Sequence, residues 1–498
     1  MQQTDSPPAP ASAPAATAAP AATDAPAAAN AAEAMVNRFD PADAVLLPDA
    51  DQQLLARRRA VLGDIYPLFY ARPVHVVRGE GARLWDADGT EYLDAYNNVP
   101  AVGHANPRVA TAVHEQLTRM NTHTRYLQDG IVTFAERFLQ TYPEHLDRVI
   151  FSNSGSEAND LAITIAQWRT GRQGVIVTEN AYHGTTQLLA GTSPENGASM
   201  PLHPWVRTVP APDTHRDGDL AGVRFAAAIT AAATDLDRHG FGLAALLLDS
   251  ITSTDGIFPG PAGMLVPAYR ATHVAGGLVI ADEVQPGVGR TGEAMWGFQR
   301  HTATEPPRPA GTEPGLQADP TATGGIPVDG HVDMVTCGKP LAGGLPIGTL
   351  VLGSALSDGY ARGHRYFNTF GGNPASIAAA TAVLDEVQDR DLVAHARTVG
   401  AYLQRGIAER SAPTGLVADV RGVGLFIGVE MRGPDAGALA ARVVNALRSR
   451  NVLISAVGAD GRVLKVRPPL VFTRKDADAF LAAYDSVLTE LQQEGPTS

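Results

Sequence analysis

The sequence contains a single cysteine, Cys337, and no apolar run close to the length of a membrane helix. One cysteine cannot form an internal disulfide, so nothing in the sequence points to an oxidising compartment. A helix that crosses a bilayer needs about 20 predominantly apolar residues, so we expect no membrane-spanning segment. By default these absences favour a cytoplasmic protein.

Two stretches lack what a folded or targeted segment would need. Residues 1–34 are dominated by Ala and Pro and carry no Lys or Arg, which excludes the basic start of a signal peptide. We interpret them as a disordered tail. Residues 301–330 have almost no large apolar side chains and are rich in Pro, Gly, Thr and Ala, which predicts a flexible, exposed insertion.

Positive charge is also scarce relative to negative charge. The 498 residues carry a formal net charge of −13, with a pI of about 5.5. An acidic protein of this kind is a poor partner for nucleic acid or for an anionic membrane. Hydrophobic residues make up 44% of the chain, enough for a sizeable core, and the length favours two or three structural units.

Short apolar runs alternate with helical patterns through the middle of the chain. This alternation is typical of an α/β fold, in which a mostly parallel sheet is buried on both faces. We predict a large domain over residues 107–373 and a smaller α+β unit formed by residues 35–106 and 374–498. The predicted central strands lie near Val149–Phe151, Gly174–Val177, Ala244–Leu248, Leu278–Ala281 and Pro346–Leu352.

A loop of small residues follows the predicted strand that ends at Phe151. Ser154, Gly155 and Ser156 precede a helical pattern that begins at Ala158. Free backbone N–H groups and the positive end of the helix dipole would make this loop a phosphate site. The alternative is an ordinary helix cap, and the loop alone does not decide between them.

Tyr182, His183 and Asp282 follow two further predicted strands. An aromatic ring at a strand end can stack on a flat cofactor ring, although a core Tyr beside a hydrogen-bonded His is the alternative. Asp282 stands at the carboxyl end of a buried strand, where open α/β sheets place their ligands. Val284 and Gln285 come next, at positions that could reach the face and the hydroxyl of such a ring.

Lys339 lies in the run Cys337-Gly338-Lys339-Pro340, among small residues. A lysine in a partly buried site deprotonates more readily, and a neutral lysine can hold pyridoxal 5′-phosphate (PLP) as a Schiff base. Asp282 would keep the ring nitrogen of PLP protonated. A phosphate loop, an aromatic residue, an Asp and a Lys in this order, each after a strand, predict a PLP site.

Cys337 stands two residues before Lys339 and could be read as a nucleophile. No activating base is identifiable near it in the sequence. We therefore interpret Cys337 as a small apolar residue packed at a strand end.

These motifs together resemble those of the class III aminotransferases, which are fold-type-I PLP enzymes. The similarity spans about Val74 to Phe472. Within the class, the chain most resembles the subgroup of alanine–glyoxylate aminotransferase 2 and ethanolamine-phosphate phospho-lyase. The segments that carry the family resemblance are residues 153–160, 181–184, 281–292, 338–340, 368–374 and 421–425. The segments that carry the subgroup resemblance are residues 96–104, 121–127 and 451–455.

The resemblance implies roles on the cofactor side of the site. Lys339 would form the Schiff base and shuttle a proton, and Asp282 would pair with the ring nitrogen. Tyr182 would stack on the ring and Gln285 would reach the ring oxygen, while Ser154, Gly155, Ser156, His183 and Val284 complete the cofactor site.

It also implies roles for two more distant residues. Thr369 would hold the cofactor phosphate of the neighbouring subunit, which implies a homodimer with shared active sites. Arg421 would bind a substrate carboxylate as a bidentate fork. One segment departs from the family pattern, because Thr254 stands where several relatives have a Glu that pairs with this Arg. We hypothesise that Arg421 is either permanently available or differently paired.

Three functions remain open at this point. A transaminase would move an amino group from an amine or amino acid to an oxo acid, and Arg421 favours it because it fits a carboxylate. A phospho-lyase would eliminate phosphate from an O-phosphorylated amine, and lyase relatives carry a similar Arg-Gly-x-Gly-Leu run. A PLP-binding scaffold without catalysis is the third, and the presence of both Lys339 and Asp282 argues against it.

Overall fold

The computed structural model describes residues 37–302 and 330–494. The tail predicted over residues 1–34 lies outside these ranges, as does most of the insertion predicted over residues 301–330.

A seven-stranded sheet forms the centre of the protein, in the order β4-β10-β9-β8-β7-β5-β6. Neighbouring strands from β9 through β8, β7 and β5 to β6 pair in parallel, and β10 is antiparallel to both β9 and β4. The prediction of an α/β fold with a mostly parallel central sheet is therefore confirmed. The strands are β4 (Arg148–Ser152), β5 (Gly174–Thr178), β6 (Val206–Val209), β7 (Leu243–Asp249), β8 (Leu278–Asp282), β9 (Met334–Cys337) and β10 (Gly348–Leu352).

Helices cover both faces of this sheet, which explains why its strands are continuous apolar runs. In β5, Val175 and Val177 pack in the cluster that contains Ala162 and Ile165, while Ile176 packs on the opposite face with Phe225. The helices are α2 (Pro107–Arg119), α3 (Asp129–Leu139), α4 (Gly155–Thr170), α5 (Gln187–Ala190), α6 (Thr214–Asp217), α7 (Ala221–Arg238), α8 (Val266–Val274), α9 (Ser354–Gly363) and α10 (Pro374–Asp389).

Two four-stranded sheets flank the central one. The first has the order β1-β2-β3-β13, and its β3–β13 pairing is parallel, so it joins the N-terminal part of the chain to the C-terminal part. The second is antiparallel, in the order β11-β12-β15-β14. The strands are β1 (Val76–Glu80), β2 (Arg83–Asp86), β3 (Glu91–Asp94), β11 (Val417–Val423), β12 (Phe426–Met431), β13 (Val452–Leu453), β14 (Ser455–Val457) and β15 (Val463–Val466).

The remaining helices are α1 (Asp49–Leu62), α11 (Leu392–Ser411), α12 (Ala436–Ser449) and α13 (Arg474–Glu494). Across residues 37–302 and 330–494, the helices are all too short or too polar to cross a bilayer. The boundaries proposed at residues 106/107 and 373/374 stay predictions.

The turn between β11 and β12 is fixed by close backbone contact on both sides. Gly424 has φ +54°, and Leu425 N–H donates to the carbonyl of Arg290 at 3.0 Å. Gly400 of α11 packs directly on the Gly424 carbonyl, which leaves no room for a side chain. Gly424 is three residues after Arg421, just past the end of the strand that contains Arg421.

Replacing Gly400 by Ala should lower the free energy of unfolding by about 1–3 kcal/mol, because the methyl group overlaps the Gly424 carbonyl. Gly363→Ala in α9 is the matched control, since a methyl group there meets no atom within 4 Å. The control should be neutral or more stable, by up to about 1 kcal/mol. Urea unfolding of both variants checks this, and equal stabilities would contradict it.

Candidate active site

A cavity of about 320 Å³ lies at the carboxyl edge of the central sheet. Parallel strands point their carboxyl ends to one edge, where open α/β sheets bind ligands. Nine of the predicted site residues line this cavity: Ser154, Gly155, Ser156, Tyr182, His183, Asp282, Val284, Gln285 and Lys339.

The N-terminus of α4 forms one end of the cavity. Ser154 is its N-cap, and the Ser154 hydroxyl accepts a hydrogen bond from Glu157 N–H at 3.2 Å. A Cβ on Gly155 would lie 2.6 Å from Val284 Cγ2, so only glycine allows this approach. A Cβ on Gly184, which has φ +146°, would lie 2.5 Å from Ser156 Oγ. The result is a narrow cradle with backbone N–H groups at a helix N-terminus, an arrangement that suits an anion.

Asp282 is held from two sides and is almost fully buried. Its Oδ2 accepts hydrogen bonds from Asn159 Nδ2 at 2.8 Å and lies 2.8 Å from His183 Nδ1. Asn159 also donates to the His183 carbonyl and accepts from the Thr336 hydroxyl. The carboxylate therefore has a fixed direction at the end of β8, beside the cavity.

Lys339 follows β9 and has φ +29°, an unfavourable backbone conformation for a residue with a side chain. Its side chain is exposed into the cavity. Desolvation by the surrounding protein lowers the pKa of Lys339, repulsion from Arg467 lowers it further, and the carboxylate of Asp282 acts in the opposite direction. A lysine of this kind holds a larger neutral fraction near neutral pH than a surface lysine.

Gln285 connects the cavity to two buried cations. Its Oε1 accepts a hydrogen bond from Lys465 Nζ at 2.9 Å and another from Arg467 Nη1. Two cationic donors on one oxygen fix the orientation of the amide. The amide N–H₂ group is thereby left as the donor of Gln285.

Asp249, at the end of β7, is a second carboxylate beside the cavity and pairs in register with Asp282. It accepts hydrogen bonds from Ile251 N–H at 2.9 Å and from the Ser253 hydroxyl. Burial raises the pKa of Asp249, and the hydrogen bonds from Ser253 and Ile251 oppose that effect.

Two predicted site residues do not line the cavity. Thr369 is exposed, next to Asn368, which bonds to Asn153 and Glu157 at the start of α4. Arg421 is buried elsewhere, and each of its three guanidinium nitrogens has a partner. The role of Arg421 in binding a substrate carboxylate stays a prediction. So does the role of Thr369 in binding the cofactor phosphate.

In this chain Thr254 stands where several relatives have a Glu, and Arg421 is paired with other groups. Nη1 contacts Asp419 at 2.9 Å and Glu430 at 2.8 Å. Nε and Nη2 donate to the Gly256 carbonyl, and Nε also donates to that of Ile257. Arg421 is therefore differently paired, as one branch of the hypothesis had it.

Sequence reasoning missed four residues of this region. Asp249 follows an apolar run just as Asp282 does, so the strand-end rule could have found it. Asn159 lies within the family segment 153–160, but its contact with Asp282 depends on α4 packing near the end of β8. Lys465 and Arg467 carry no motif and come from a different sheet.

Comparisons with known proteins agree on one family. Residues 69–306 and 325–488 match the class-III aminotransferase family. A Drosophila melanogaster protein, alanine–glyoxylate aminotransferase 2-like, is 35% identical over 460 residues, which cover 88% of this chain and 87% of the relative. A Caenorhabditis elegans ethanolamine-phosphate phospho-lyase homolog is 32% identical over 465 residues, which cover 88% and 93%.

One solved structure is also similar, that of a phospholyase from Arthrobacter in complex with phosphoethanolamine. The two sequences are 40% identical, and the structures superpose with a TM-score of 0.79. The match covers 88% of this chain and 99% of the Arthrobacter chain. The chain therefore belongs to the class-III aminotransferase family, whose members are fold-type-I, PLP-dependent enzymes. The predictions of the cofactor and of a PLP-dependent aminotransferase are confirmed.

The buried position of Cys337, the one cysteine of the chain, predicts how its thiol reacts before and after denaturation. Cys337 is fully buried, and burial raises the pKa of its thiol well above the ordinary value. Since the thiolate is the reactive form, we expect no reaction with a thiol reagent in the native protein and one equivalent after denaturation. Rapid modification of the native protein in a colorimetric thiol assay would contradict this.

Asn159→Ala should affect both stability and chemistry. The loss of three buried hydrogen bonds, to Asp282, the His183 carbonyl and the Thr336 hydroxyl, should cost about 1–3 kcal/mol of unfolding free energy. Release of Asp282 should slow the reaction with an amine about 10- to 100-fold. Asn445→Ala is the control, because Asn445 bonds to Ala71 and Ala441 and none of the three lines the cavity. A stopped-flow rate that falls equally in both variants would rule out the positioning role.

Proposed function

We propose that Lys339 attaches PLP and moves the proton during amino-group transfer from an amine or amino acid to an oxo acid. The observation that carries the proposal is the convergence of nine predicted residues on one cavity around Lys339. Bound PLP supplies an electron-accepting ring that stabilises negative charge on the substrate carbon beside the nitrogen.

The open space at the N-terminus of α4 supports a phosphate at this position. Glycine at positions 155 and 184 keeps the cradle open, since a Cβ at either would collide with Val284 or Ser156. Ser156 Oγ and the first backbone N–H groups of α4 would donate to the phosphate. The helix dipole adds favourable electrostatics for a dianion.

The residues beyond the cradle fit the rest of a pyridine ring. Asp282 presents a carboxylate whose direction is fixed by Asn159 and His183, which suits a protonated ring nitrogen. Tyr182 and Val284 line the cavity and would contact the ring. Gln285 would donate to the ring oxygen through its N–H₂ group.

Lys339 would act as the base. A neutral Nζ takes the proton from the substrate carbon next to nitrogen and later returns it to another atom. The lowered pKa of Lys339 supports this role, because a protonated ammonium has no lone pair to accept the proton. Asp282 and Asp249 limit the lowering of the Lys339 pKa, because both carboxylates favour the charged ammonium form of Lys339.

Arg421 remains the proposed contact for a substrate carboxylate. In this structure its guanidinium is bound to Asp419 and Glu430, so a carboxylate would need to displace one of them. That requirement weakens the argument from Arg421 for an oxo-acid substrate.

A second reaction, phosphate elimination, is favoured by a specific observation. The Arthrobacter phospholyase is 40% identical, and its structure holds phosphoethanolamine. In this reaction the C–H bond beside the nitrogen breaks and its proton passes to Lys339. The neighbouring C–O bond then breaks, phosphate leaves with the electron pair of that bond, and the C–H electrons form a carbon–carbon double bond. Lys339 returns the proton to the terminal carbon, and one water molecule hydrolyses the resulting C=N bond to ammonia and an aldehyde.

The proposal includes a homodimer and a cytoplasmic location. Tyr126, Leu127 and Phe370 are exposed apolar side chains, with Leu127 fully open to solvent. A second copy of the chain would cover such residues and would bring Thr369 towards the cofactor phosphate of its neighbour.

The two reactions separate in one experiment. The holoenzyme is incubated with a panel of amines, with and without oxo acids, and both amino-acid product and free phosphate are measured. Product that depends on the oxo acid supports transamination. Phosphate released without an acceptor identifies elimination, and no change with any amine would contradict both.

Lys339→Ala should abolish turnover in either reaction, a loss of at least about 10²- to 10⁴-fold for a missing base alone. Lys475→Ala is the control, because Lys475 is exposed at the start of α13. Both variants should keep the wild-type circular dichroism spectrum. Full turnover by Lys339→Ala would refute the assignment.

A further inference from the structure

The side chain of Asp255 joins the turn after β7 to the strand end that leads to Tyr182. Its Oδ2 accepts a hydrogen bond from the Thr178 hydroxyl at 2.7 Å, and its Oδ1 accepts one from Asn180 N–H at 2.9 Å. Thr178 is the last residue of β5, and Asn180 stands two residues before Tyr182, which lines the cavity. One carboxylate therefore holds the backbone that enters the cofactor site.

The turn that carries Asp255, residues 252–257, has a strained backbone. Thr252 has φ +43° and Ile257 has φ +65°, conformations that residues with a side chain rarely adopt. Such a backbone persists only where its surroundings hold it in place. The turn therefore depends on hydrogen bonds from other segments of the chain.

The antiparallel sheet supplies two of those hydrogen bonds. Gly458 N–H, just after β14, donates to the Thr254 carbonyl at 3.1 Å. Arg421 in β11 donates from Nη2 to the Gly256 carbonyl at 2.7 Å. The carbonyls on both sides of Asp255 thus bind the antiparallel sheet, while the Asp255 side chain binds the central sheet.

Asp255 makes this connection at an electrostatic cost. Desolvation by the surrounding protein raises the pKa of Asp255 to about 6, although the hydrogen bonds from Thr178 and Asn180 oppose that effect. The carboxylate of Asp249 raises the pKa of Asp255 further, and His183 opposes it. Since the surroundings disfavour the charge, the favourable part of these interactions is hydrogen bonding.

We propose that Asp255 is a positioning residue of the cofactor site, which holds the backbone at Asn180 and so keeps Tyr182 in a fixed place relative to the turn that contacts Arg421. This inference goes beyond the roles proposed above, and it rests on the proposed function for the contact between Tyr182 and the PLP ring. Among the described residues that line the cavity, Asp255 is not included, so it acts through Tyr182 and touches no substrate.

The first test uses Asp255→Ala in the holoenzyme, which removes both acceptors. PLP loss during gel filtration should become about 10- to 100-fold faster, the effect of losing hydrogen bonds to a charged group. The visible circular dichroism band of the bound cofactor should also weaken, because Tyr182 is no longer fixed. Asp255→Asn should restore both properties, since an amide of the same shape accepts from Asn180 and donates to the Thr178 hydroxyl.

Asp86→Ala is the matched control. Asp86 also uses one oxygen for a backbone N–H, that of Thr90 at 2.8 Å, and the other for a hydroxyl, that of Tyr92 at 3.0 Å. It ends β2 and is not among the described residues that line the cavity. Both alanine variants should unfold at lower urea concentration, but only Asp255→Ala should lose PLP faster. Equal rates of PLP loss in the two variants would overturn the inference.

A second readout follows the backbone itself. Amide hydrogen exchange of peptides that cover residues 175–184, measured by mass spectrometry, should be faster in Asp255→Ala because Asn180 N–H loses its acceptor. Asp86→Ala should leave this exchange unchanged. If Asp255→Ala does not fold, Thr178→Val tests the same contact, because it removes only the hydroxyl donor and should give a smaller change in the same direction. Exchange that stays at the wild-type rate would contradict the proposal.

These readouts separate the positioning role from the proposed function. If the wild-type protein binds no PLP, the proposed function fails, and exchange at residues 175–184 still decides whether Asp255 holds this segment. If the wild-type protein binds PLP and Asp255→Ala retains it equally well, the positioning role fails while the proposed function stands.

Discussion

The parallel register of β7, β8 and β9 is the constraint on which the site depends. It sets Asp249 opposite Asp282 and Asp282 opposite Thr336, three residues before Lys339. The buried, two-sided packing of these strands prevents a slip, since a shift of one residue would turn every side chain to the other face. Lys339, two residues beyond β9, and the carboxylates at the ends of β7 and β8 therefore meet at one edge of the sheet.

Much of this edge could be predicted from sequence, because the rule behind it is local. Ser154, Asp282 and Lys339 each follow a short apolar run, and strand ends in a parallel sheet share an edge. The rest required tertiary information. Lys465 reaches Gln285 from another sheet, across 180 residues of chain. The ion pairs of Arg421 with Asp419 and Glu430 depend on the β11–β12 pairing, which sets Asp419 opposite Glu430.

The charges of the site divide into two groups with different chemistry. Asp282 and Asp249 place negative charge at the strand ends, where a cationic ring nitrogen would lie. Lys465 and Arg467 lie on the other side of Gln285, and both donate to its Oε1. Lys339 stands between the two groups, and its pKa is lowered because desolvation and Arg467 outweigh the carboxylates.

Borohydride reduction of the holoenzyme followed by peptide mass mapping tests the central claim most directly. Reduction fixes the cofactor to the lysine that holds it, and the chain has three lysines, Lys339, Lys465 and Lys475. The account predicts a cofactor adduct on the peptide that contains Lys339 and unmodified peptides for the other two. An adduct on Lys465, or none on Lys339, would contradict it.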